Sequence, residues 1–442
     1  MNDTTHDGLI TSNTVDPVRS VAPGGPLSAL HRWRKRGSKR LEAVFLILGA
    51  LGSSAPHAWA QSAYGVRAPI RGTSVHPAST IAAPVIDEST GLDLVRAATF
   101  SDAAAGAARQ ASSPVPARGT SPFKRIPGLV SFEDEDGRVG LMAMGSAKYT
   151  AEDADPEALA MARRAARIRA RAAAMALLTK ELHGGDPARR RAILSRVTAR
   201  EQDLFTSERT TKLDDDRIRS ASARLIRSAQ FYGEDDAGGK VEISLFLTGE
   251  AAFGNRYLTP NIRLASRLQF GEATSSAQAE ARLGFLSLSG GQLVLCADEG
   301  RVALIGCGSA PIAGKGGLAA AKRKAKARAV SGFMELIQGG PSSARRRLDR
   351  REPEQARATK LFRESLPPRK DEAAIVKRIR AAMSSSDEIE RLVVRSKGGK
   401  ESPGAIELNY SDDANGWVTT VHILTVDLDI DIDPDIESTR KQ

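Results

Sequence analysis

The chain repeats itself, and that repeat constrains its fold more than any other feature. From Gly128 it reads GLVSFEDEDGRVGLMAMGSA, and from Gly291 it reads GQLVLCADEGRVALIGCGSA. Gly137, Arg138, Val139, Leu141, Gly145, Ser146 and Ala147 recur at constant spacing as Gly300, Arg301, Val302, Leu304, Gly308, Ser309 and Ala310. After a connector that is shorter in the second copy, each continues into an Ala/Arg or Ala/Lys segment. There Leu159, Ala162, Arg164, Ala166, Arg169, Ala170, Met175 and Leu177 match Leu318, Ala321, Arg323, Ala325, Arg328, Ala329, Met334 and Leu336.

The local chemistry of one copy gives its elements. Two short runs of strand formers flank an acidic turn closed by Gly137 or Gly300, which predicts a hairpin. The Ala/Arg segment then favours helix, with Ala the best helix former and Arg close behind. At helical spacing Leu159, Ala162, Ala166, Ala170, Ala173 and Leu177 share one stripe, and Arg163, Arg167 and Arg171 share another. Small inner residues let such a helix lie close to a sheet. Gly184-Gly185 and Gly339-Gly340 stop the helices, and basic segments that also read as helix follow. Two further predicted strands close each copy. They are SARLIRSAQFYG and GKVEISLFLTGEA in the first, and IERLVVRSK and GWVTTVHILTVDLDI in the second. The expectation is an α+β fold made of two tandem β-β-α-(α)-β-β modules, each an antiparallel sheet with helices on one face.

The flanks read differently. Basic residues from Arg32 to Arg40, an apolar run from Leu41 to Leu51 and the small-x-small site Ala58-Trp59-Ala60 predict an export signal over residues 1–60. The apolar run is short for a membrane span, so a mature chain cut after Ala60 is expected to have none. Residues 61–125 are rich in Ala, Ser, Pro, Thr and Gly and are expected to form a disordered leader. The predicted modules then span 126–254 and 286–436, with a linker at 255–285 and a tail at 437–442. From Asp427 to Asp435 acidic and apolar residues alternate, which reads as a strand with an acidic face.

Composition narrows the function classes. The formal net charge is +11, and its excess sits on the predicted helices. Arg163, Arg167, Arg171, Lys322, Arg323 and Lys326 are therefore the candidate interaction surface. No aromatic residues interleave with them to stack bases, so nucleic acid is not the favoured partner. GCGSAPIAGKGG departs from a phosphate-binding loop, because Gly308 and Gly314 stand one residue too far apart and Gly316 replaces the hydroxyl residue. After the predicted signal the histidines are His76, His183 and His422, with no metal-ligand spacing among them. No cofactor, metal site or catalytic motif is expected. The two cysteines, Cys296 and Cys307, flank the second hairpin too far apart for a bridge if the turn places Cys296 opposite Ala303.

Gly145 to Ala147, Ala162 to Leu178, Ala223 to Gly233 and Lys240 to Ala251, with their counterparts in the second copy, together resemble a known envelope module. It occurs in a family of small bacterial outer-membrane lipoproteins and as the amino-terminal domain of the flagellar H-ring protein FlgT. The resemblance implies a non-enzymatic part of a cell-envelope assembly, of secretion, conjugation or flagellar type. It also implies a periplasmic, outer-membrane-associated location, with envelope proteins or a second copy of the chain as partners. No cysteine near the signal offers a lipid anchor. Two other readings stay open. One is a module that binds an anionic polysaccharide or lipid head group through the basic helices. The other is a hydrolase that gathers carboxylates from both modules.

Overall fold

The computed structural model describes residues 84–113, 126–150, 155–199, 215–250, 255–265, 270–282, 290–296, 299–312, 316–338, 343–369, 372–391, 405–412, 416–428 and 430. The predicted signal and tail, and Asp429 to Asp435 apart from Ile430, lie outside them. All described residues belong to one unit, His57–Gln442.

Two six-stranded sheets share one strand order. The first contains β1 (Val85–Asp87), β2 (Leu92–Ala97), β3 (Leu129–Asp134), β4 (Val139–Lys148), β5 (Gln230–Ala237) and β6 (Lys240–Thr248), in the order β1-β2-β3-β4-β6-β5. The second contains β7 (Asn255–Thr259), β8 (Ile262–Ala265), β9 (Gly291–Cys296), β10 (Arg301–Pro311), β11 (Ile406–Asp412) and β12 (Trp417–Asp427), in the matching order β7-β8-β9-β10-β12-β11. The first module carries helices α1 (Phe100–Ser112), α2 (Pro156–Leu178), α3 (Pro187–Val197) and α4 (Asp215–Arg227). The second carries α5 (Phe270–Arg282), α6 (Gly317–Gln338), α7 (Ser343–Arg351), α8 (Pro353–Ser365) and α9 (Glu372–Ser384). The α+β class and the two-module organisation follow directly.

The modules are larger than the repeat implied. Residues 85–112, expected within the leader, form β1, β2 and α1, so the first module begins at Val85. Residues 255–282, expected as linker, form β7, β8 and α5, so the second begins at Asn255. The additions match one another. Phe100, Ala103, Ala107 and Ala111 of α1 are buried at the same spacing as Phe270, Ala273, Ala277 and Ala281 of α5. In both copies the hairpin arginine lies over that phenylalanine: Arg138 is 5.3 Å from the Phe100 ring and Arg301 is 4.9 Å from the Phe270 ring. Thr99 caps α1 by accepting from the Asp102 amide at 3.1 Å.

These additions change the sheets as well. β2 pairs parallel with β3, and β8 parallel with β9, while the other pairings are antiparallel. Helices cover both faces rather than one. Leu141, Ile243 and Leu245 face α2, whereas Val130, Phe132 and Met142 face α1. In the second module Leu304 and Leu424 face α6, whereas Val294, Ile305 and Val421 face α5. Successive strand residues point to opposite faces, so a sheet covered on both sides reads as an apolar run rather than an alternation.

Two predicted strands are helical. SARLIRSAQFYG opens inside α4 and becomes strand only at Gln230, because Ile218, Ala221, Ser222, Leu225 and Ile226 bury one helical face. IERLVVRSK opens in helix at 389–391, and its remainder lies outside the described residues. The strand that fills this place in the sheet is β11, at Ile406–Asp412.

The second hairpin also differs in register by two residues. Cys296 lies opposite Arg301, not Ala303. Cys307 is then six residues along β10, about 20 Å away at strand rise. Neither thiol is in a disulfide, both are buried under α5, and burial pushes Cys307 up to about 12. In the folded protein a thiol reagent is expected to label neither cysteine within minutes, and both after unfolding in guanidinium. Rapid labelling of the native protein would contradict the packing of α5.

Candidate functional site

The sequence placed a solvated basic face on α2. The structure encloses that helix instead. One side lies on the first sheet through Ala166, Ala170 and Ala174, and α8 of the second module packs on another. Asp155 caps it, accepting from the amides of Glu157 and Ala158, and Pro156 occupies the first turn, where no amide partner is needed. With two sides covered, arginines at this spacing must point inward somewhere.

Each finds acidic partners. Arg163 Nε lies 3.0 Å from Asp236 Oδ2 and donates to Tyr149 OH at 3.1 Å. Burial works against the Arg163 charge, but Tyr149 and Asp236 hold it above the usual arginine range. Arg167 Nη2 lies 3.0 Å from Glu234 Oε1, with both side chains buried. Edge strand β5 therefore supplies the counter-charges for this stretch of α2. Arg163 and Arg167 are not a free interaction surface, and neither is Arg171.

Arg171 reaches out of its own module. Its Nη2 donates to Tyr257 OH at 2.6 Å and to Glu280 Oε1 at 2.9 Å. Tyr257 belongs to β7 and Glu280 to α5, both in the second module. Arg263 of β8 donates to the same two oxygens, and the Tyr257 hydroxyl donates to Glu280 Oε1. The guanidinium of Arg171 lies 4.7 Å from the Phe362 ring of α8, and that of Arg263 lies 4.4 Å from the Tyr257 ring. All four polar residues are about 2% exposed. Burial opposes the Glu280 charge, but Arg171 and Arg263 outweigh it and hold the carboxyl below the usual carboxylate range. Burial pushes the Tyr257 hydroxyl up, against the two arginines.

Three further contacts lock the same seam. Arg227 of α4 donates to the carbonyls of Leu258 and Pro367. The Thr179 hydroxyl, in the π-helical turn Thr179–His183 that follows α2, donates to Ser365 O at 2.7 Å. Trp417 Nε1 donates to Ala160 O at 3.2 Å, and the Arg164 guanidinium lies 4.3 Å from the Trp417 ring. Burial drives Arg164 down to about 9. Ala358 and Leu366 of the second module also join the hydrophobic core of the first. Charged, aromatic and apolar contacts therefore converge to fix one module against the other.

The candidate residues on α6 fare differently. Lys322 and Arg323 are exposed, whereas Lys326 is half-buried with Nζ 3.0 Å from Glu407 Oε2. Elsewhere, Asp87 and Glu133 both contact Arg196, and Glu133 also contacts Arg96. These carboxylates are held by guanidinium groups. Among the described residues no cluster of His, Cys, Asp and Glu has the make-up of a metal site, and no helix is long and apolar enough to cross a membrane. Gly308, read in sequence as half of an imperfect phosphate loop, instead lies against the α6 backbone. The seam was hidden from sequence because Arg171 and Glu280 stand 109 residues apart. The only local signal was the phase of the arginines along α2.

No protein-family model matches the chain, and no curated protein matches it. Among solved structures, a 2.3 Å crystal structure of a hypothetical protein from Francisella tularensis is similar at 13% identity. That likeness covers 65% of this chain and 83% of the other, with a TM-score of 0.20. At that score it carries no conclusion about fold or function.

Proposed function

We propose that the protein is an exported, periplasmic scaffold or adaptor of a cell-envelope assembly, acting by presenting surfaces rather than by catalysis. The observation that carries this reading is the seam. Two modules of the same topology are joined by a buried cluster of two arginines, a glutamate and a tyrosine. Burying charge costs free energy that only close pairing offsets, so such a joint serves poorly as a hinge and well as a rigid spacer. A rigid two-module body can hold two partners at a fixed separation. The export reading rests on residues 1–60 and the envelope reading on the module resemblance.

The test is cross-linking in cells followed by mass spectrometry, with the protein tagged at its carboxyl end. The expected result is a periplasmic protein whose Lys322 and neighbouring lysines link to envelope proteins or to a second copy. Recovery in the cytoplasm, or an exported protein that links to nothing, overturns the proposal.

A further inference from the structure

A cavity of about 450 Å³ opens in the second module between the β7–β8 turn, the end of α6, and helices α7, α8 and α9. Its volume is in the range of small-molecule sites. Leu293, Leu336, Val376, Ile379 and Met383 supply an apolar floor, and among the described residues no aromatic side chain lines it. Four cations, Arg345, Lys360, Arg363 and Arg380, stand with three acids, Glu335, Asp349 and Glu372.

Most of these charges have partners. Arg345 Nε lies 3.0 Å from Asp349 Oδ1, and Glu372 Oε2 lies 3.6 Å from Arg227 Nη2. Lys360 makes a loose surface pair with Glu364 at 3.8 Å. Arg363 makes neither a hydrogen bond nor an ion pair with any described residue. It keeps open surface at the mouth, yet surrounding protein and then the Arg345 charge hold its guanidinium below the usual arginine range. A guanidinium carries five donors in a planar fork suited to carboxylate or phosphate. Here that fork stands at the mouth of the cavity, open to solvent and with no protein partner among the described residues to displace.

We propose that this cavity binds an anionic amphiphile, an acyl chain with one carboxylate or phosphate head. The chain lies on the Leu293, Leu336, Val376, Ile379 and Met383 floor, and the head is taken by Arg363. A polysaccharide is disfavoured, because the aliphatic floor offers a sugar ring no aromatic face to stack on. A nucleotide is disfavoured for the same lack of stacking. The site lies apart from the α2 arginines and does not depend on the scaffold reading.

Calorimetric titration of the purified chain with three probes tests the proposal: dodecanoate, a lysophosphatidylglycerol, and uncharged dodecanol. Saturable one-to-one binding of dodecanoate or the lysolipid is expected, with dodecanol roughly tenfold weaker or worse. Binding by the lysolipid alone assigns the head to a lipid phosphate, and binding by dodecanoate alone to a free carboxylate. Arg363→Gln breaks no hydrogen bond among the described residues and is expected to fold normally. It should weaken the anionic probe roughly tenfold while leaving dodecanol unchanged. Val376→Phe, which fills the floor, should abolish binding of all three. Absence of saturable binding by both anions, or equal affinity in Arg363→Gln, overturns the proposal.

Discussion

Glu280→Gln is expected to destabilise the protein by about 3–5 kcal/mol, the cost of breaking a buried ion pair from one side. Glutamine keeps the shape and one acceptor but removes the charge. Arg171 and Arg263, each about 2% exposed, would then share a buried site with no counter-charge. Neither reaches water without opening the seam. A surface comparison fixes the scale. Lys360 and Glu364 have side chains 76% and 58% exposed, and deleting that pair should change stability by about 0.5 kcal/mol or less. Guanidinium unfolding followed by circular dichroism reads both. Replacing the whole cluster with apolar residues, Arg171→Met, Arg263→Met and Glu280→Leu, should restore most of the loss, because no unpaired charge remains. The pH dependence carries the same signature. The folded Glu280 carboxyl lies below its unfolded value of about 4.3, so its contribution is complete above that pH. On acidification the unfolded chain takes up the proton first, and stability falls as pH drops through the folded value. Glu280→Gln should lose that part of the acid limb. A variant within about 1 kcal/mol of the native protein would mean that water enters the seam.

Sequence and structure part company where partners are distant. The Gly128 to Ala147 repeat led to the right hairpins, long helices and tandem order, because each of those is written in neighbouring residues. The β1-β2-α1 segment escaped for a physical reason. Its helix buries Ala103, Ala107 and Ala111, which carry so little apolar area that the stretch resembles leader composition. The matching phenylalanine, acid and alanines of α5 held the signal, at an offset unlike that of the main repeat. SARLIRSAQFYG misled because it begins inside α4, so the period that would reveal a helix lies before its first residue. The α2 arginines misled most. A stripe of arginine on an Ala-rich helix ordinarily faces water, and only tertiary structure brings Glu234, Asp236 and Glu280 to it. Arg363 gave no sequence signal at all, since its cavity is assembled from six separate segments.

Gly145→Ala and Gly308→Ala are expected to cost about 3 kcal/mol each, at the upper end for overpacking, and to lower Tm by about 4 °C. A Cβ at Gly145 would lie 2.0 Å from Ala170 O and 2.3 Å from Ala174 N. At Gly308 it would lie 2.0 Å from Ala325 O and 2.4 Å from Ala329 N. In both modules the obstacle is helix backbone, which cannot rotate away as a side chain can. The helix would have to lift from the sheet, opening gaps where Ala170 and Ala174, or Ala325 and Ala329, now pack. The closest approach falls one helical turn apart from the pairing that the identities suggested, Ala170 with Ala329. The glycine and the small-residue stripe are thus the common element, whereas the identity register is not. Gly137→Ala separates this effect from glycine substitution in general. Gly137 has a φ of +73°, and a Cβ added there would meet nothing within 4 Å. Only the left-handed conformation is then penalised, by about 1–2 kcal/mol. Scanning calorimetry should therefore rank Gly145→Ala and Gly308→Ala together and well below Gly137→Ala in Tm. If only one of the pair were sensitive, the two helices would not seat alike on their sheets. If neither were, the close approach that seats each helix's small-residue stripe on its sheet would be absent.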